Sequence, residues 1–322
     1  MMLNFFDEIR DDLAYVEKEL KKVVAGFPPV LSDPATHLLA AGGKRLRPAF
    51  ALLGGHFGRY ELERVVPLAV AVELIHMATL VHDDVVDGAL VRRSRPTVHA
   101  QWGNNVAVWT GDAVFARAIE IVAGYEESLV SRKLAATCME VCTGEFAQAR
   151  ACFNPRQTLR GYFGRIRSKT AVLIAGACEL GAVVCGAPQI VSRALGQYGL
   201  AVGMAFQVVD DVLDIVADER ILGKATGSDI REGIATLPVL YVLCQSKRYH
   251  RRLREILCAP EKSEAEIGEA IAIVKEEGGV AYSLEVARRF VGRSLDALRK
   301  LPEIPSRQKL EAIARFVVAR EF

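Results

Sequence analysis

Apolar residues recur at intervals of three and four along most of this chain, most clearly over 64–87, 104–123, 131–150, 169–186, 192–217 and 280–300. That spacing gives a helix one buried stripe. Pro and Gly gather between these segments, in "GFPPVLSDP", "GGKRLRP", "NPR", "GAPQ" and "LPEIP", where they start and stop helices. The stretch "PLAVAVEL" (67–74) could be a strand by its Val content, but it lies inside a helical pattern that runs on to Asp87. There is no sustained alternation of period two, no internal repeat and no low-complexity segment. The pattern predicts an all-α fold, one helical bundle over residues 1–322 with no linker that divides it.

Composition narrows the picture by exclusion. Half of the 322 residues are hydrophobic, enough for a large core, and the formal net charge is only +2. No basic field therefore points to a nucleic-acid partner. The densest basic run, "KRYHRRLR" (247–254), reads as a solvated helix end rather than a contact with an anionic membrane. No stretch approaches the roughly 18 uncharged apolar residues of a membrane span. The start of the chain reads as an amphipathic helix without the features of a signal peptide. Seven cysteines are scattered, and Cys138 and Cys142 have no second Cys/His pair at zinc spacing. Reduced thiols in a cytoplasmic protein are expected.

Two short acidic runs stand out against this background. "HDDVVD" carries Asp83, Asp84 and Asp87; "FQVVDDVLD" carries Asp210, Asp211 and Asp214. Positions i and i+4 share a helix face and i+1 lies beside them, so each run offers at least two carboxylates in one direction. One such run is often a solvated helix end. Two, each set in apolar sequence, are harder to explain that way. If they face each other, six carboxylates repel unless cations neutralise them. Hard divalent cations such as Mg2+ suit oxygen ligands and recruit phosphate oxygens. His82 lies about 100° from the Asp83–Asp87 face of a helix and reads as structural.

A phosphate ligand calls for cations, and the chain has them. Lys44 and Arg47 in "GGKRLRP" are three apart and expected on one face. Arg92, Arg93 and Arg95 follow the first acidic run, "SKT" (168–170) opens an apolar helix, and Lys224 follows the second run. Each alone reads as a surface charge; together they outline two diphosphate-sized sites.

In this order and spacing, "GGKRLRP", "HDDVVD", "RRSRPT", "SKTA", "FQVVDDVLD" and "LGKATGSDIREGIATLP" resemble the trans-isoprenyl diphosphate synthases over residues 42–238. The resemblance implies the isoprenoid synthase fold around a deep central pocket. It also implies that Lys44, Arg47, His76 and Arg93 hold isopentenyl diphosphate. Arg92, Lys169, Thr170, Gln207 and Lys224 would contact an allylic diphosphate, such as farnesyl diphosphate. Asp83, Asp84, Asp87, Asp210, Asp211 and Asp214 would bind Mg2+, about three ions per site with substrate present. Asp83, Asp84, Asp87, Lys169 and Asp210 would carry the catalysis. Ser94 and Ser168 stand where glycine is common in the family.

Ala78 and Thr79 lie five and four positions before Asp83, where the family uses large aromatics to stop chain growth. Both are small, which resembles medium- to long-chain synthases, most of all the catalytic subunit of bacterial heptaprenyl diphosphate synthases that serve menaquinone side chains. The resemblance further implies a homodimer or a heteromer with a small regulatory subunit, and at most peripheral membrane contact for product release. A geranylgeranyl or farnesyl synthase, a non-catalytic subunit, a class I terpene cyclase and a purely structural bundle are the alternatives. The cyclase has no use for Lys44, Arg47 and Arg93, and the structural bundle leaves two acid triads unexplained.

Overall fold

Residues 7–216 and 226–319 are described by the structure, a computed structural model. The expected helices are there. They fall into two compact units, each assembled from segments far apart in sequence: 1–138, 173–199 and 298–310 in the first, 139–172, 200–297 and 311–322 in the second. The interleaving accounts for the lack of any linker signal in the sequence.

The first unit is built around α4 (Leu62–Val86). By length and composition α4 could cross a bilayer, yet 72% of its apolar window is buried inside the protein. It packs against α1 (Arg10–Ala25), α3 (Leu46–Gly55) and α6 (Asn104–Ala123), with α2 (Pro29–Ala40) and α5 (Val98–Trp102) completing the layer. "PLAVAVEL" is helical throughout, with Pro67 tolerated early in α4. Gly88, at φ +64°, ends α4, and the Ala89 amide reaches back to the Asp84 carbonyl at 3.0 Å, the closure a left-handed C-terminal residue permits.

A feature without a period-two signal follows. Val91–Arg92 and Arg95–Pro96, as β1 and β2, form a two-residue antiparallel hairpin. Arg93 and Ser94 make its turn, both left-handed at φ 52° and 61°. The Thr97 hydroxyl and His99 Nε2 both meet the Ala89 carbonyl at 2.7 Å and anchor the hairpin to the end of α4.

In the second unit, the last residues of α7 (Ser128–Ala149) pack beside α8 (Leu159–Ile166) and the single π-helical turn Arg167–Ala171 that follows it. This turn runs on into α9 (Val172–Val184), so the helix expected from 169 begins ten residues earlier. Two glycines let neighbouring backbones close on the turn. A Cβ on Gly144 would stand 2.5 Å from the Lys169 amide, and one on Gly203 would stand 2.7 Å from Ala171 Cα. Gly203 belongs to α10 (Gln189–Val216).

Candidate active site

In the first unit, basic side chains collect around one end of the α2–α3 connection. Lys44 lies outside any helix, and Arg45 is the N-cap of α3 in a left-handed conformation (φ 47°). Lys44 and Arg47 therefore do not share a helix face, contrary to what their spacing suggested. The conformation of Arg45 is costly for a residue with a Cβ, and two carboxylates hold it. Its Nε and Nη1 donate to Glu17 Oε2 at 2.8 Å and Glu73 Oε1 at 3.0 Å. Glu73 is buried on α4. A Cβ on Gly43 would stand 3.0 Å from an Arg93 guanidinium nitrogen and 3.2 Å from one of Arg45, so glycine lets both arginines lie over the loop.

Arg47 is the unusual member of this group. Its Nε is buried without a hydrogen-bond partner among the described residues. Burial lowers the proton affinity of its guanidinium, the Glu73 carboxylate opposes that, and the nearby Arg93 adds to it. His76, one turn beyond Glu73 on α4, is held well below the usual imidazole range by burial and then by Arg47, Arg93, Arg92 and Arg45. A neutral imidazole thus lies within a field of four arginines. Arg93 is exposed and Arg47 half-buried. Where Arg45 and Arg92 have carboxylate partners, the Arg47 Nε has none, so an anion reaching it from the Arg93 side would be favoured.

The first acid triad occupies the last turn of α4. Asp83 is half-buried, and Asp87, the C-cap, is exposed. Asp84 is buried and accepts from Arg92 Nε at 2.7 Å. Burial raises the proton affinity of Asp84, with Arg92 opposing. Arg92, expected on an allylic diphosphate, is paired with a carboxylate of the triad. One turn before Asp83, Ala78 is fully buried, and the Thr79 hydroxyl donates to the His76 carbonyl at 2.8 Å. His82 rests on α6, 3.3 Å from the Val108 carbonyl, where a Cβ on Gly111 would collide with its ring. Its role is packing.

In the second unit, the second triad lies near the end of α10, and two of its members are engaged within the unit. Asp211 accepts from the Tyr162 hydroxyl at 2.6 Å and from Gln207 Nε2 at 2.9 Å, while Gln207 Oε1 accepts from Thr170 at 2.8 Å. Burial pushes the Asp211 carboxyl up to about 7 against these hydrogen bonds. Asp214 accepts from the Ser228 hydroxyl at 2.6 Å and from the Ser228 and Asp229 amides, capping the short helix α11 (Ser228–Arg231). Asp210 is the half-buried member. Lys169 Nζ lies 2.5 Å from Glu145 Oε2, and Lys224 lies outside the described residues.

Both triads sit at the C-terminal ends of the two longest helices, 25 and 28 residues, among the described residues. Carbonyl dipoles already make such ends negative, so acids there are unfavourable without a cation. All the donors are hard oxygens, which fits Mg2+ or Ca2+. Among the described residues no three Asp, Glu, His or Cys side chains are gathered to hold an ion by themselves.

Tyr162, Glu73, Glu17 and Glu145 escaped the sequence reading. Glu73 had a signal: it is the one acid between Val65 and Val81, and a carboxylate there must be partnered. The pairing of Glu145 with the π turn had none.

A family model described as polyprenyl synthetase matches residues 28–274. The chain is 43% identical over 316 residues to heptaprenyl diphosphate synthase component 2 of Geobacillus stearothermophilus, covering 98% of this chain and 97% of that one. It is 40% identical to the protein of the same name from Bacillus subtilis (strain 168), over 98% and 89% of the two chains. A crystal structure of a polyprenyl synthase from Caulobacter crescentus CB15, complexed with calcium and isoprenyl diphosphate, superposes with a TM-score of 0.94 at 34% identity, covering 99% and 98% of the chains.

Proposed function

Because the chain belongs to the polyprenyl synthetase family and is a prenyltransferase, we propose that it joins isopentenyl diphosphate repeatedly to an allylic diphosphate, giving a medium- or long-chain trans-polyprenyl diphosphate. The observation that carries this reading is Arg47, whose guanidinium Nε is buried and unpartnered, beside Arg93 and a neutral His76. A diphosphate is the anion that such a cluster suits. Lys44, Arg47, His76 and Arg93 would hold the isopentenyl diphosphate, with Arg45 fixed by Glu17 and Glu73 to shape their loop.

Lys169, Thr170, Gln207 and Arg92 are assigned to the allylic diphosphate, with Lys224 by the sequence motif. Arg92 and Lys169 rest on Asp84 and Glu145, so each would exchange a carboxylate for phosphate as substrate arrives. Divalent cations, when bound through Asp83, Asp87 and Asp210, would neutralise charge on the diphosphate as the allylic carbon–oxygen bond breaks. The resulting allylic cation is attacked by the isopentenyl double bond, and a proton then leaves, with the released diphosphate as its acceptor. Asp84, Asp211 and Asp214, engaged with Arg92, Tyr162 and α11, would act chiefly by keeping their neighbours in position.

The relatives named component 2 support a further proposal, that this chain works with a small second subunit and makes a heptaprenyl product for a menaquinone side chain. The test of the carrying observation is kinetic. Arg47→Gln should raise the Michaelis constant for isopentenyl diphosphate by about ten- to a hundredfold, the loss of one charge-assisted contact, and change that for the allylic substrate much less. Equal effects on both substrates would contradict the assignment.

A further inference from the structure

Within the second unit, the segment after α7 and the start of α8 enclose an open cleft of about 280 Å3 that none of the assigned residues lines. Three arginines face it: Arg150, Arg156 and Arg165, together with Asn154, Thr158 and Tyr162; its lining contains no Asp or Glu. Arg165 is 7% exposed. Its Nη2 donates to the Ala235 carbonyl at 3.1 Å and its guanidinium lies 5.7 Å from the Tyr162 ring centroid. These are neutral partners, and no carboxylate pairs with it among the described residues. Its field also reaches the Asp211 carboxylate behind Tyr162, but that acid does not line the cleft, and the two exposed arginines beside Arg165 leave the cleft itself with an excess of positive charge. Arg150 lies over the Phe146 ring at 5.8 Å, and the Arg156 amide is fixed by Asn154 Oδ1 at 2.8 Å. Thr158 caps α8 by accepting from the Gly161 amide at 3.1 Å, so the positive end of that helix dipole also opens on this side.

We propose that this cleft is a binding site for a phosphate-bearing anion, separate from the two substrate diphosphate positions. Arg165 would supply the buried charge, Arg150 and Arg156 the closing contacts, and the helix end a further attraction. The volume accommodates inorganic phosphate, diphosphate or a lipid headgroup. Tyr162 lines the cleft and its hydroxyl donates to Asp211, so an occupant touches the residue that positions the second acid triad.

The test uses the full chain without divalent metal. Thermal unfolding is followed while inorganic phosphate is titrated against sodium chloride of equal ionic strength. A parallel arm measures co-sedimentation with phosphatidylglycerol vesicles and with phosphatidylcholine vesicles. Three proteins are compared: the unaltered chain, Arg150→Gln/Arg156→Gln, and Lys44→Gln/Arg47→Gln. Both arginines of the first variant are exposed, so folding should be preserved. A saturable phosphate response, or selective binding to phosphatidylglycerol, should survive in Lys44→Gln/Arg47→Gln and weaken by about tenfold or more in Arg150→Gln/Arg156→Gln. The first arm then marks a free anion and the second a lipid headgroup. The proposal is overturned if neither arm gives a response, or if Arg150→Gln/Arg156→Gln retains the full response.

Discussion

His76 and Ser94 carry the local costs of the basic site in two different currencies, protonation and backbone geometry. For His76, the unfolded imidazole takes up a proton near pH 6.5, whereas burial and the four surrounding arginines hold the native one well below that. The unfolded state thus binds more protons in that interval, and stability falls as pH drops below about 6.5. The slope approaches 1.4 kcal/mol per pH unit from this group. Denaturant unfolding at pH 7 and pH 5.5 should show a smaller loss for His76→Gln than for the unaltered chain; equal losses would mean that His76 is protonated in the native state. Ser94 pays in conformation, at φ 61° in the hairpin turn. Ser94→Gly should raise stability by up to about 1 kcal/mol, read as a higher unfolding midpoint, and a lower midpoint would show that the serine side chain makes a compensating contact. The cost at His76 was not legible in the sequence, whereas that at Ser94 was hinted at by the glycine common at this position in the family. The pairing of Arg45 with Glu17 and Glu73 joins residues 28 apart on either side, and left-handed φ at Arg45 and Arg93 falls on a residue type that carries no turn signal.

At the scale of elements, helical period and Pro/Gly punctuation revealed most helices, because apolar burial at three- and four-residue spacing is local information. At the π turn, Arg167–Ala171, Gly144 and Gly203 let other backbones come close, and no local pattern encodes that approach. The two acid triads were legible from spacing alone. Their division of labour was not, since Asp214 is recruited by Ser228 and Asp211 by Tyr162. On α4, Ala78 is buried about 7.5 Å along the axis from Asp83. If a growing hydrocarbon runs past it, Ala78→Tyr puts a ring across that path, and a packed interior has little room to yield. The variant should still condense substrates but stop after one or a few additions, as chromatography of dephosphorylated products would record. An unchanged product from a soluble variant, with at most a stability loss of about 1–3 kcal/mol from overpacking, would reduce Ala78 to a core residue.

At the scale of the molecule, the residues proposed for the site fall in two units: Lys44, Arg47, His76, Arg92, Arg93 and the first triad in one, Lys169, Thr170, Gln207 and the second triad in the other. Order and spacing of the motifs from 42 to 238 made the family legible, and the family match over 28–274 with relatives at 40% and 43% identity agrees. Product length was less legible than the charged motifs, because steric fit among apolar residues leaves no spacing signal in a sequence. The most direct measurement is to incubate the purified chain, alone and with a small second subunit of a heptaprenyl synthase, with Mg2+, farnesyl diphosphate and labelled isopentenyl diphosphate, and to size the dephosphorylated products. The account predicts incorporation abolished by EDTA and a product longer than geranylgeranyl. No incorporation in either mixture, or incorporation undiminished by EDTA, would contradict it.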